Sequence, residues 1–113
     1  MPSQKVLANT SPQTIAAERL DGRHHVKSMT VDNEAGAGDR VISIVDSFTP
    51  DVTNGVASPS AQTITRFYAT VKQGSVDTFN KEDLEGVRCI GALTIDADVT
   101  DTGCHISVGY ETD

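Results

Sequence analysis

The segment from Val87 to Tyr110, VRCIGALTIDADVTDTGCHISVGY, constrains the fold of this chain more than any other. Val87, Cys89, Gly91, Leu93, Ile95 and Ala97 occupy alternate positions, and Cys104, Ile106, Val108 and Tyr110 do the same. Successive side chains of a strand point to opposite faces, so each run predicts a half-buried strand. Between them stands Asp98-Val99-Thr100-Asp101-Thr102-Gly103, made of residues that turn a chain. Two alternating runs joined by a short polar link predict an antiparallel hairpin.

The same grammar recurs upstream. His24 to Asp32 reads as a strand, Asn33 to Asp39 as a glycine-bearing turn, and Arg40 to Phe48 as a dense β-branched strand, a second predicted hairpin. Thr63 to Gln73 is another strand, and Val76 to Phe79 a short one. Asn80-Lys81-Glu82-Asp83-Leu84 suits a single helical turn with Asn80 as its N-cap. Before Gly22 the pattern is weak: Gln4 to Ala8 suits an edge strand, while Thr14 to Leu20 admits a short helical reading. Residues 1–22 are therefore expected to be an N-terminal arm or edge strands, and 23–113 a single domain. Thr49 to Gln62 holds two prolines and many short polar residues, a loop for contact or crossover. Regularly spaced strands without a βαβ rhythm predict an all-β, antiparallel β-sandwich of jelly-roll or immunoglobulin-like type, with a small barrel as the alternative.

Composition narrows the function classes. The formal charge of −7 leaves no basic surplus to displace counterions, so nucleic acid is not an expected partner. No apolar run reaches the roughly 18–20 residues of a membrane span, and the N-terminus lacks the apolar core of a signal peptide. The two cysteines, Cys89 and Cys104, lie far apart in the hairpin register and are expected to be free and buried, in keeping with a reducing cytoplasm.

Few residues offer chemistry. His24 and His25 are adjacent, so on a strand they point to opposite faces and do not share an ion. Asp96, Asp98 and Asp101 form a weak calcium candidate, because oxygen-rich turns bind calcium; yet the glycine comes late and no glutamate closes the loop. Asp in such turns also serves backbone hydrogen bonds alone. No nucleophile elbow, phosphate loop or Cys/His pairing is present in the sequence, so no catalytic residue, metal or cofactor is expected and the chain reads as a non-enzyme.

Two strands carry apolar residues on both faces. Val41 and Val45 oppose Ile42, Ile44 and Phe48, while Ile64 and Tyr68 oppose Phe67 and Val71. A sheet solvated on one side is polar there, so another chain, or the N-terminal arm folded back, is expected to cover one face. Ile44, Phe48, Phe67 and Tyr68 are the expected interface residues.

Two stretches, VKSMTVDNEAGAGDRVISIVDSFTPD and LEGVRCIGALTIDADVTDTGCHISVGYE, resemble the small all-β structural proteins of tailed-bacteriophage virions. That group includes capsid decoration proteins, minor capsid proteins and head–tail or tail components. The resemblance implies a homo-oligomer made in the host cytoplasm and assembled on the virion beside partners such as the major capsid protein. The competing reading is a receptor- or carbohydrate-binding module of a fibre or appendage. Sugar sites favour aromatic platforms, and a chain with no Trp and two Tyr fits the first reading better. The cysteine reading gives a direct check: thiol titration of denatured, non-reduced protein is expected to find two free groups, and finding none means that the two are joined.

Overall fold

The computed structural model describes residues 3–19, 22–48 and 62–112, which form nine strands and no helix. They are β1 (Ser3–Ala8), β2 (Gln13–Ala16), β3 (His24–Asp32), β4 (Arg40–Phe48), β5 (Gln62–Val71), β6 (Val76–Phe79), β7 (Arg88–Cys89), β8 (Ala92–Ala97) and β9 (Asp101–Thr112). One sheet has the order β1-β9-β3-β6, with β7 also paired to β3; the other has the order β2-β8-β4-β5. Compared position by position, the two orders match chain neighbours: β1 with β2, β9 with β8, β3 with β4, β6 with β5. This is the strand order of a jelly roll, one of the sandwich types the alternation predicts.

Both expected hairpins are absent. β3 pairs with β9, and β4 with β8, so each predicted turn instead carries the chain from one sheet to the other. Alternation cannot separate the two outcomes. In a hairpin, both apolar faces lie on the same side of one sheet; in an arch between sheets, they face each other across the core. Cys104 accordingly does not lie opposite Ala97, which belongs to the other sheet. The adjacent strands β4 and β5 do pair along their whole length, from Arg40 opposite Val71 to Phe48 opposite Gln62. The polar loop expected over Thr49–Gln62 lies outside the described residues, apart from Gln62.

The N-terminal residues take the edge-strand option. β1 pairs with β9 and β2 with β8, so they widen the two sheets and do not fold over a face. The helical reading of Thr14 to Leu20 is overturned, since Thr14 and Ala16 pair with Thr94 and Leu93 of β8. A segment too short to hold a helix by itself takes the hydrogen bonds that a neighbouring strand offers. The single turn after Asn80 is as expected: the Asn80 side chain accepts the N–H groups of Glu82 (2.9 Å) and Asp83 (3.0 Å).

The core between the sheets is aliphatic. Met29, Val31, Ile42, Ile44, Val71, Leu93, Ile106 and Val108 are fully buried, together with Cys89 and Cys104. Complete burial of a Val, Leu or Ile side chain is worth about 1.5–3 kcal/mol, so this layer holds the two sheets together. One glycine shows how tight the joints are. A Cβ on Gly91 would run into the Ser47 carbonyl oxygen and lie 2.5 Å from the Phe48 Cβ. Gly91→Ala must therefore push β4 away from the β7–β8 link. We expect a loss of about 3 kcal/mol, read as a lower midpoint in urea denaturation; an unchanged midpoint would refute the close approach.

Candidate functional site

Two charged side chains face inward from β4, one near each end of the sandwich. At the first, Arg40 donates from Nε to the Asp101 Oδ2 at 2.9 Å, and its terminal nitrogen lies 2.9 Å from the same oxygen. The Ala37 N–H (2.9 Å) also reaches Asp101 Oδ2, and the Gly103 N–H (3.0 Å) reaches Oδ1. These backbone donors, joined by the Arg40 guanidinium, hold the Asp101 carboxyl below its ordinary value. At the second, Asp46 has no solvent exposure. Its Oδ2 accepts from Arg66 (2.7 and 3.1 Å) and from the Ile90 N–H (3.0 Å), and its Oδ1 from the Gly91 N–H (2.8 Å).

The calcium candidate is dispersed by this arrangement. Asp98 accepts the Val41 N–H at 3.1 Å, Asp96 accepts the Ala97 N–H at 2.9 Å, and Asp101 is taken by Arg40. Each carboxylate satisfies nearby backbone or a cation, the alternative role of Asp in turns. Among the described residues, no group of three or more His, Cys, Asp or Glu side chains is placed to hold a metal ion.

The histidines serve different places. His24 is buried, its Nε2 is 2.7 Å from the Ala17 carbonyl oxygen and its Nδ1 is 2.8 Å from the Thr112 hydroxyl. A carbonyl only accepts, so Nε2 donates, and in the neutral ring Nδ1 accepts from Thr112. The imidazole thus ties the segment after β2 and the end of β9 to the start of β3. His25 lines a cleft of about 340 Å³ with Lys27, Lys81, Glu82, Leu84 and Glu85. Neither Lys27 nor Lys81 has an ion-pair partner among the described residues, and no Phe, Tyr or Trp lines the cleft.

Cys89 and Cys104 are both buried and unpaired. Their separation comes from the sheet and not from the expected hairpin register. Cys89 stands opposite His24, and Cys104 precedes His105, which stands opposite Asp32. Those β3 positions are eight residues apart (32 − 24), about 26 Å at 3.3 Å per residue. Burial, with the Asp46 carboxylate second, pushes the Cys89 thiol up to about 12. Burial and then Asp101 raise Cys104 as well. Both are held as thiols, the unreactive form.

The expected interface residues divide. Ile44 is fully buried against its own opposite sheet, so it belongs to the core and is not available to a partner. Parity places it on one face with Phe48, and that shared face is the inner one. Phe48 and Phe67 are half-buried, and Tyr68 is 69% exposed. Phe67 of β5 meets Phe79 of β6 edge to face, centroids 5.4 Å apart, across the sheets. Ile64 (42%) and Val76 (47%) are exposed on these same two strands. All three phenylalanines and one of the two tyrosines thus lie on β5, on β6 or at the end of β4 beside β5. Sequence alternation could not find this cluster, because it forms only when β5 and β6 become neighbouring edges.

No protein-family model, no curated protein and no solved structure matches this chain.

The Asp101 geometry fixes a pH response. Its folded carboxyl titrates below the ordinary value of 3.8, so the unfolded chain binds the proton first as pH falls. Its contribution to stability is present above that value and is lost on acidification through the folded one. Melting temperature measured against pH is expected to drop below about pH 4, with a shallower drop in Asp101→Asn. Equal acid slopes in the two proteins would exclude Asp101 as the source.

Proposed function

We propose that this chain is a non-enzymatic structural protein of a bacteriophage virion, assembling as an oligomer on the capsid or at the head–tail or tail region. The observation that carries the reading is the aromatic side of the sandwich. A small domain normally spends its largest side chains in its core, yet the centre of this core is aliphatic and the phenylalanines stand at one edge, half-covered. Aromatic residues are enriched where protein surfaces meet. Jelly rolls are common in capsid domains, which supports the reading by analogy of fold alone.

The same fold also serves lectins, the ground for the alternative of a receptor- or carbohydrate-binding module. The cleft beside His25 is lined by no Phe, Tyr or Trp on which a sugar face stacks, and Tyr68 is the one strongly exposed residue of those types. That favours assembly. Partners in this reading are further copies of the chain and other virion proteins such as the major capsid protein.

Virions purified from cells producing this chain, separated on a density gradient and quantified by mass spectrometry, are expected to contain it in fixed ratio to the major capsid protein. Fewer than one copy per particle would end the virion reading.

A further inference from the structure

Among the described edge strands, β5 is the longest. It has ten residues, against six in β1 and four each in β2 and β6. One edge of β5 pairs with β4, and among the described residues the other ends its sheet. Proteins protect long free edges with lysine, proline, a β-bulge or an inward-turned charge. β5 contains no lysine, proline or acid. Its two protective features, a β-bulge and the inward-turned charge of Arg66 on the Asp46 carboxylate at 2.7 Å, fall on one central residue, and the flanks Gln62–Thr65 and Phe67–Val71 carry no charge or proline.

Arg66 is also the extra residue of a bulge. Ile44 stands opposite Phe67 and Val45 opposite Thr65, so Arg66 has no counterpart on β4. The bulge reverses the alternation half-way along the strand. Thr63 and Thr65 before it, and Tyr68 and Thr70 after it, share the outer face, because they pair with Ser47, Val45, Ser43 and Val41. Ile64 and Ala69 share the inner face, opposite Asp46 and Ile42. The sequence expectation that Ile64 and Tyr68 lie on one face is thereby corrected.

We infer that β5 is completed by β5 of a second copy, running antiparallel about a two-fold axis, so that two sheets join into one. This deepens the assembly reading above and rests on it for the claim that copies of the chain meet. Opposed residues in any sheet must share a face. For a strand with one central bulge paired to itself over its full length, faces agree only if the axis passes through the bulge. The axis between Arg66 and Phe67 satisfies this: Thr65 meets Tyr68 of the second copy on the outer face, Thr63 meets Thr70 there, and Ile64 meets Ala69 on the inner face. A two-fold pairing of this kind uses the edge twice and closes, which stops further growth.

Charge and area agree with a second copy as the occupant. Each chain carries −7, so two copies repel except where acids are absent, and β5 has none. Ten residues at about 3.3 Å, across a wall of two sheets roughly 20 Å deep with side chains, give about 650 Å² per partner, near the roughly 800 Å² of a stable interface.

Thr65 and Tyr68 are both exposed, so charging them leaves the fold intact. Light scattering of the full chain is expected to give twice the 12.0 kDa chain mass. Thr65→Asp/Tyr68→Asp places acids opposite acids and is expected to halve that mass with unchanged circular dichroism. Mixing it with Thr65→Lys/Tyr68→Lys restores the doubled mass. As a second measurement on the unmodified chain, amide exchange along Phe67–Val71 slows as concentration rises. A wild-type chain monomeric at millimolar concentration overturns the inference, as does an oligomer indifferent to both double substitutions. In the latter case the virion reading stands if the chain is still found in particles. A β5 dimer absent from particles leaves the inference standing and removes the virion reading.

Discussion

A carboxylate with no solvent contact must have its oxygens met by the protein, and Asp46 is where this sandwich meets that demand. Four donor contacts converge on it, from two parts of the chain: the Arg66 guanidinium on β5, and the adjacent Ile90 and Gly91 N–H groups between β7 and β8. The consequence is geometric. Arg66 reaches Asp46 as the extra residue of the β5 bulge, and Gly91 reaches it where a Cβ would run into Ser47 and Phe48. The bulge then reverses the alternation of β5. Removing one partner of such a cluster leaves a buried charge short of donors, which is far more costly than the pair is stabilising.

At the other end of β4, Arg40 and Asp101 do the complementary work. Asp101 begins β9 in one sheet and Arg40 begins β4 in the other, so their contact joins the sheets across the end of the core. Asn33 fastens the turn beside them. Its side-chain amide donates to the Gly38 (2.9 Å) and Val71 (3.1 Å) carbonyls, and its backbone N–H donates to Ser75 (2.9 Å). The aliphatic core supplies the bulk of the favourable free energy, while these polar groups fix which strand follows which across the gap. The partly covered phenylalanines at the β5–β6 edge follow from the same plan. They close the side of the sandwich between β5 and β6.

Much of the strand inventory is legible in the residues. The runs His24–Asp32, Arg40–Phe48 and Ala92–Ala97, with the glycine and Asp turns between runs, announce strands because a half-buried strand must alternate. The Asn80 cap is legible too, since capping is a contact over three residues. The burial of Cys89 and Cys104 follows from their place in apolar runs. The aspartates of the central link drew attention as oxygen ligands, yet what distinguishes Asp101 is Arg40, sixty-one residues away. Nothing in the local sequence marks Asp46, whose partners lie twenty to forty-five residues distant.

By itself, then, the sequence determined the all-β class, the positions of most strands and the alternation of faces along most of them, because these depend on local period and turn chemistry. Only the tertiary structure decided that the two expected hairpins are arches between sheets, that β4 pairs with β5 and β8, that Ile44 is core, and that the aromatic residues share one edge. The physical reason is that alternation specifies a strand's faces but not its neighbours. Any two half-buried strands can exchange ladder hydrogen bonds, and the choice among them falls to long-range contacts such as Arg40 with Asp101 and Asp46 with Gly91.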